Sequence, residues 1–358
     1  MSNETAFTPH WVSPPGDSIR DILQQRGMAV EQFAAKIRAS VSQASDLLSG
    51  QVAIDERTAH ALAQELGATA RFWMTREAQY REDVARQKSL NEQWVRELPI
   101  AEMVSYGWLS PSQSHATRDS IALAFFQSKS VQEARQKYED IASSWIYRLS
   151  TRHKTAASSL AAWLRQGEIE AARIATSGWD AKGFRDALQS FCALSLKKYP
   201  RHFVPILQAQ CASYGVAVVI VRTPLGCPAS GAARFISGEK AVIMLSFRFL
   251  TDDQFWFSFF HEAAHLLLHG RLKVFLDGTD SGVDEYERQA NDFAARILVP
   301  AAHTAELAAL WPSHANVMRF SLRIGVSPGI VVGQLQHSGR VGYHQLNHLK
   351  RRYSWEEE

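Results

Sequence analysis

Three histidines and a glutamate stand in one of the most apolar segments of the sequence. The segment HEAAHLLLH runs from His261 to His269 and directly follows the aromatic run FWFSFF at 255–260. Burying imidazoles and a carboxylate is costly unless they are paired or coordinate an ion. On a helix His261 and His265 point the same way, so the pattern predicts an HExxH site, in which the two histidines hold Zn²⁺ and Glu262 is the general base. For His269, one turn further along, a supporting or surface role and direct participation are both open.

A third ligand would distinguish a metal site from a chance match to this short pattern. The segment DEYERQANDFAARIL at 284–298 has an inward apolar stripe, and Glu287 continues that stripe one turn earlier. Asn291, one turn behind Glu287, is placed to orient its carboxylate. These residues fit a His₂Glu catalytic zinc site whose fourth position is open. Asp284 and Glu285 are the alternatives to Glu287 as the third ligand.

A helix and a small sheet are predicted around the motif. Thr251 and Gln254 have the spacing of a capping box, which predicts a helix from there to Gly270. Three β-branched runs upstream predict short strands: 216–221, 232–236 and 241–245. Turn residues at 237–240 predict a hairpin between the last two strands. Strands followed by helices indicate a small sheet covered on one face by the helix of the motif.

The N-terminal part of the chain has a helix-turn-helix pattern. Residues 15–80 read as short helices separated by turn residues, and the last of these helices is predicted to end at Tyr80. Within 28–50 the apolar positions suit two short helices packed across a tight turn. Residues 81–200 read as almost wholly helical.

We therefore predict an α+β protein that is predominantly α, in three parts. Residues 1–95 form a helix-turn-helix bundle, and residues 96–200 form a helical middle region. Residues 201–358 form a zinc-binding domain with its small β-sheet packed on the HExxH helix. The chain ends in a segment, from Leu349 onward, that we expect to be a solvated tail; a lid or a partner contact is the alternative.

Composition indicates a globular protein and little more about its partners. The 358 residues are 46% hydrophobic and 21% charged with a formal net charge of +3, which excludes a disordered or fibrous chain and does not by itself indicate nucleic acid. No apolar run approaches the roughly 20 residues of a membrane span, and the N-terminus lacks a signal-peptide pattern. We expect a cytoplasmic protein with no membrane partner.

The three cysteines are too few, and unsuitably spaced, for a disulfide framework or a Cys-based zinc site, so we expect buried side chains. Cys227 has a second interpretation, because it lies in the rigid loop PLGCP between two predicted strands. A thiolate is a good zinc ligand. Cys227 could therefore fill the open zinc position and hold an enzyme inactive until it is displaced.

Three N-terminal segments, SPPGDSIRDILQQRGM, EQFAAKIRASVSQASDLLSG and ARFWMTREAQY, resemble the Xre-type helix-turn-helix of HigA-like antitoxins. The match departs from the family at the turn, where Arg38 replaces the usual glycine, and at Val41, where a basic or polar residue is usual. By the family's alignment, four side chains would face a DNA groove: Ser42, Gln43, Ser45 and Asp46.

Local charge weighs against tight DNA binding. Residues 1–80 hold seven Lys/Arg and nine Asp/Glu, a net charge of −2, and residues 40–52 hold no Lys or Arg. Non-specific affinity for DNA comes mainly from Lys and Arg that neutralise phosphates. Gln43 could still pair with an adenine edge. The sequence therefore leaves two roles open for the module. It binds DNA, or it recognises a protein or positions a substrate.

The segments FWFSFFHEAAHLLLHG and EYERQANDFAARILVP resemble the ImmA/IrrE family of metallopeptidases, whose motifs are HExxH and ExxANxFAxxLLxP. A looser match covers most of 155–350. The resemblance implies a zincin-like fold, zinc ligands at His261, His265 and Glu287, and Glu262 as the catalytic base. The donor that stabilises the oxyanion is left open among four residues: Tyr343, His337, His344 and Arg234.

The resemblance implies an intracellular zinc endopeptidase that cleaves a helix-turn-helix repressor or antitoxin and so derepresses stress, phage or mobile-element genes. The alternative is a DNA-binding repressor or antitoxin whose metal domain senses a signal without hydrolysis. The expected partners are a protein substrate and, through the N-terminal module, DNA. A homodimer is one alternative for the quaternary structure.

Overall fold

The computed structural model describes residues 12–146, 157–227, 229–270 and 281–355. Contacts within the chain divide it into two units, Met1–Gln93 and Trp94–Glu358. In the described part of the chain, no helix is both long enough and apolar enough to cross a membrane. The domain boundaries at 95 and 200 stay a prediction.

The first unit is a bundle of helices joined by short turns. In order these are α1 (Pro15–Gln25), α2 (Val30–Lys36), α3 (Val41–Leu48), α4 (Glu56–Leu66) and the start of α5 (Ala70–Arg96). Their apolar faces meet in one core that includes Ile19, Phe33, Leu62 and Trp73, each fully buried. The helix-turn-helix bundle predicted from the apolar spacing is confirmed.

Two positions show how closely the helices of this bundle approach. At Gly16, in the first turn of α1, an added Cβ would stand 1.9 Å from the backbone oxygen of Leu48, so this contact requires glycine. Arg38, between α2 and α3, has a φ of 58°. A left-handed conformation costs a residue other than glycine about 1–2 kcal/mol. The turn therefore has the helix-turn-helix geometry with backbone strain at Arg38, where HigA-like antitoxins usually have glycine.

Helix α5 is longer than predicted. The predicted helix ends at Tyr80, where the resemblance to the antitoxin family stops, but the observed helix continues to Arg96. No glycine or proline interrupts residues 70–98, and Pro99 is the first residue that cannot continue a helix. The end of α5 is therefore explained by Pro99 and by the absence of an earlier helix-breaking residue.

The second unit contains the remaining helices and the sheet. Its helices are α6 (Ile100–Ser105), α7 (Arg118–Phe126), α8 (Val131–Ile146), α9 (Ala157–Ala172), α10 (Ala181–Phe191), α11 (Pro200–Ala212), α12 (Asp252–Ala264), α13 (Ser281–Leu298), α14 (Ala301–Ala309), α15 (His314–Ile324) and α16 (Pro328–His337). Its strands are β1 (Val216–Ile220), β2 (Gly231–Phe235) and β3 (Ala241–Leu245). Short 3₁₀ turns lie at Gln113–His115, Cys192–Leu196 and Asn347–Leu349.

The sheet has the order β1-β3-β2, with β1 parallel and β2 antiparallel to β3. The antiparallel pair confirms the hairpin predicted at 237–240. Because side chains alternate along a strand, the two faces of the sheet belong to different cores. Val218 and Ile243 pack in the core that contains α12, and Val219 and Met244 pack in the core that contains α9. The motif helix thus covers one face, as predicted, and helices of the predicted middle region cover the other.

The start of α12 differs from the prediction. Thr251 is the N-cap residue, but its side chain makes no capping hydrogen bond, so the predicted capping box with Gln254 is wrong. Instead, the fully buried carboxylate of Asp252 accepts hydrogen bonds from Ser327 Oγ at 2.7 Å and from the backbone N of Arg351 at 3.0 Å. The helix is therefore anchored to the C-terminal part of the chain.

Residues 350–353 do not form the solvated tail that the sequence suggested. The Lys350 ammonium pairs with the Asp253 carboxylate at 2.7 Å, and both side chains are largely buried. Tyr353 is 3% exposed and packs against Phe247. The prediction is wrong because these basic and aromatic side chains find acidic and aromatic partners beside α12.

The buried Asp252 predicts a specific pH dependence of stability. Burial raises the pKa of this carboxyl to about 6, although the hydrogen bond from Ser327 lowers it; neighbouring Asp253 raises it further and Arg351 lowers it. The folded protein then binds the proton more tightly than the unfolded chain. Its contribution to stability is present below about pH 4 and is lost as the pH rises through about 6.

We expect Asp252→Asn to remove this contribution. Relative to the variant, the wild type should be favoured at pH 4 by about 2 kcal/mol more than at pH 7. Urea unfolding of both proteins at the two pH values measures the difference, with the exposed Asp186→Asn as control. An equal stability difference at both pH values would contradict the assignment.

Candidate metal centre

Helices α12 and α13 bring two imidazoles and a carboxylate together. The Nε2 atoms of His261 and His265 lie 3.0 Å apart. Glu287 Oε2 lies 3.4 Å from His261 Nε2, and Glu287 Oε1 lies 3.2 Å from His265 Nε2. The three side chains are 12%, 14% and 20% exposed, so the cluster is largely buried but still in contact with solvent.

The separations between these three side chains are close to those in a tetrahedral zinc site. Bonds of about 2.0–2.2 Å at tetrahedral angles place neighbouring ligand atoms about 3.3–3.6 Å apart. The observed separations of 3.0, 3.2 and 3.4 Å are close to this range. Two imidazoles and a carboxylate are also a donor set of catalytic zinc sites, which keep a fourth position for water or substrate. The residues therefore fit a zinc ion.

The apolar stripe of α13 puts Glu287 on the side of the helix that faces α12. Ala294 and Leu298 are at most 1% exposed and pack in one core with Phe260 and Ala263 of α12. Glu287 precedes Ala294 by two turns and so lies on the same face. Hydrophobic packing between the two helices thus carries the carboxylate to the histidines.

Of the two alternatives to Glu287, Glu285 has other partners. Glu285 accepts hydrogen bonds from Arg288 Nε at 3.0 Å and Gln289 Nε2 at 2.8 Å. Its side chain is 42% exposed. The side chain of Asp284 lies outside the described residues.

Asn291 contacts a histidine, which corrects the expectation that it orients Glu287. Its Oδ1 lies 2.9 Å from His261 Nδ1. An amide oxygen can only accept, so the His261 proton sits on Nδ1 and a lone pair remains on Nε2. Asn291 therefore holds the tautomer that a metal ligand needs.

Glu262 lies beside the cluster and is 4% exposed. It is packed against Gly231 at the start of β2, where an added Cβ would stand 2.8 Å from both Glu262 Cγ and Oε1. Sequence reasoning missed Gly231 as a functional position, because a glycine beside a strand reads as a turn residue. Its only signal was its place at the start of a β-branched run, where glycine can mark a close approach.

His269 lies next to His265 in a single π-helical turn, His265–His269, that ends the motif helix. The two Nδ1 atoms are 2.9 Å apart, while the His265 Nε2 atom lies 3.2 Å from Glu287 Oε1 on the other side of the ring. His269 is 8% exposed. Of the roles left open for it, this placement favours support of a ligand.

Two other sequence hypotheses are corrected by the sheet. Cys227 packs in the core shared with α9, and burial raises the pKa of its thiol to about 12. It is a buried thiol on the face away from α12, which argues against a thiolate that closes the metal site. Arg234 pairs with Glu168 of α9 on that same face, so it is not placed to stabilise an oxyanion. Tyr343, His337 and His344 stay candidates.

In the N-terminal unit, Ser42, Gln43 and Ser45 are exposed on α3, as the resemblance implied. Two of them already have local partners. Gln43 Oε1 accepts from the backbone N of Ser40 at 2.9 Å, and Ser45 Oγ donates to the Val41 carbonyl at 2.9 Å. A bidentate contact of Gln43 with adenine would therefore compete with the cap of α3.

Two protein-family models match separate parts of the chain. Residues 215–335 match the family model described as the IrrE N-terminal-like domain of Peptidase_M78. Residues 19–73 match a model described as helix-turn-helix. No curated protein matches the chain significantly. The two matched segments confirm both resemblances, and the first contains all of α12 and α13.

We expect the wild-type protein to bind one zinc ion per chain through this cluster. His265→Ala and Glu287→Gln should weaken zinc binding by more than the roughly 100-fold that loss of a supporting residue can cost. Competition with a chromophoric chelator measures the affinity. Glu306→Gln, on α14, is the matched control. Unchanged affinity in both ligand variants would contradict the site.

Proposed function

We propose that this chain, a helix-turn-helix joined to an IrrE-like peptidase domain, is a zinc-dependent endopeptidase. The observation that carries the proposal is the meeting of His261, His265 and Glu287, with Glu262 beside them and a fourth metal position left by a three-ligand set. A sensory or structural zinc would not need a general base, and structural sites usually close with a fourth protein ligand.

The chemistry follows from the positions of these side chains. Zinc, when bound, supplies a Lewis acid that polarises the scissile carbonyl and activates water. Glu262 accepts a proton from the attacking water and returns it to the leaving amine. Its low exposure limits competing solvent at the carboxylate, and the missing side chain of Gly231 lets β2 pack close against it. Asn291 holds His261 in its ligand tautomer.

Strand β2 supplies a place for an extended substrate. In the described part of the chain, β3 is its strand neighbour on one side, and four of its five residues are only partly buried, whereas all of β3 is buried. A strand edge with no neighbouring strand can bind a peptide through main-chain hydrogen bonds. A segment bound along β2 passes Gly231 and therefore Glu262.

For the substrate we propose a helix-turn-helix repressor or antitoxin, whose cleavage derepresses stress, phage or mobile-element genes. Support comes from the resemblance to the ImmA/IrrE family and from the matched family model. The N-terminal module would supply recognition, of DNA or of the substrate. Its net charge of −2 and the absence of Lys and Arg from 40–52 favour a role that does not depend on strong phosphate contacts.

The second candidate function is a DNA-binding repressor or antitoxin with a sensory metal domain. The exposed polar side chains on α3 and the helix-turn-helix match favour it. Glu262 separates the two functions, because only hydrolysis requires its carboxylate.

We expect Glu262→Gln to lower substrate cleavage by about 10²- to 10⁴-fold, the usual contribution of a general base. Zinc affinity should stay within a few-fold of the wild type, because Glu262 is not a ligand. The protein is co-expressed with products of the neighbouring genes, and fragments are identified by mass spectrometry. Glu239→Gln, in the exposed β2–β3 turn, is the control. Cleavage and cellular response both intact in Glu262→Gln would favour the sensory function.

Gly231→Ala tests whether β2 positions the base. The added Cβ would lie 2.8 Å from Glu262 Cγ and should displace the carboxylate. We expect cleavage to fall by about 10²-fold, as for a small misplacement of a reacting group, with zinc affinity retained. Gly178→Ala is a matched control, because its Cβ would meet the exposed Glu239 carboxylate instead. Full activity of Gly231→Ala would show that this contact does not set the position of Glu262.

A further inference from the structure

A chain of hydrogen bonds runs from the outside of α13 to one of the proposed zinc ligands. Gln289 Nε2 donates to Glu285 Oε1 at 2.8 Å. Gln289 Oε1 lies 3.2 Å from His269 Nε2, and His269 Nδ1 lies 2.9 Å from His265 Nδ1. The other ring nitrogen of His265, Nε2, lies 3.2 Å from Glu287 Oε1, which is also one of the proposed zinc ligands.

With His269 neutral, the chemistry of these groups fixes the direction of every bond. A carboxylate accepts hydrogen bonds, so Gln289 turns its NH₂ group to Glu285 and its oxygen to His269. The amide oxygen accepts in turn, which places the His269 proton on Nε2. Neutral His269 then has a lone pair on Nδ1, which accepts the Nδ1 proton of His265. His265 is left with a lone pair on Nε2, directed at the metal cluster.

We propose that His269 and Gln289 are positioning residues that hold His265 in the tautomer required of a zinc ligand. The inference rests on the proposed function for the identity of the site, and it assigns His269 a role distinct from ligation. The two histidine ligands are then supported differently: Asn291 acts directly on His261, and a two-residue relay acts on His265.

The local fold keeps the relay in place. The turn after His265 is π-helical, closed by a hydrogen bond of 3.2 Å from the backbone N of Gly270 to the His265 oxygen. Such turns are rare and often occur at functional sites. Here the two imidazole rings stand 5.0 Å apart, and the Tyr286 ring packs against His269 at 4.6 Å. The largely buried His269 ring is therefore fixed from both sides.

The first test measures zinc affinity by chelator competition. His269→Phe keeps an aromatic ring for Tyr286 and removes the acceptor, so zinc binding should weaken by about 10- to 100-fold. His269→Gln retains an acceptor oxygen and should recover part of the loss. Gln289→Leu breaks the relay one step earlier and should weaken binding in the same direction; it also serves if His269→Phe does not fold. His303→Phe, a histidine on α14, should have no effect.

The second test needs neither metal nor activity. Nitrogen-15 NMR of the metal-free protein should show His265 protonated at Nδ1 in the wild type and as a tautomer mixture in His269→Phe. Wild-type zinc affinity in His269→Phe, or an unchanged His265 tautomer, would overturn the relay. Failure of the proposed function would give different results: His265→Ala and Glu287→Gln would leave zinc binding unchanged, or Glu262→Gln would cleave normally. In either case the NMR measurement would still show whether the relay sets the His265 tautomer.

Discussion

The structure of the site depends on the contact between two amphipathic helices. The apolar stripe of α13, including Ala294 and Leu298, packs into the core that holds Phe260 of α12, and this contact forces Glu287 against the two histidines. Two imidazoles and a carboxylate whose nearest nitrogen and oxygen atoms are 3.0 to 3.4 Å apart, in a largely buried place, are costly unless an ion or a proton joins them. Hydrophobic packing between the helices supplies the free energy that brings the three polar side chains together. A bound zinc ion would then stabilise this cluster.

Around this contact, the chain supports each polar group from a different element. Asn291 and the relay through His269 hold the ligand tautomers, β2 makes room for Glu262 at Gly231, and the C-terminal segment anchors the start of α12 through Asp252 and Asp253. The elements that support the chemistry are therefore distant in sequence. A small sheet between two cores joins them.

Local patterns were enough to predict much of this arrangement. The spacing of His261 and His265 and the stripe that includes Glu287 are properties of single helices, which the 3.6-residue period reveals. Features that depend on tertiary contacts could not be read in the same way. The carboxylate of Asp252 finds Ser327 and the backbone of Arg351, and Cys227 falls on the far face of the sheet, because of packing between segments that no local pattern specifies.

The proposed function requires one zinc ion that joins α12 to α13 through three side chains. Anomalous scattering at the zinc edge, from crystals of the metal-loaded protein, tests it most directly. We expect a single peak about 2.0–2.2 Å from His261 Nε2, His265 Nε2 and one oxygen of Glu287, with no fourth protein ligand. A peak elsewhere, or a fourth protein side chain bound to the ion, would contradict this site.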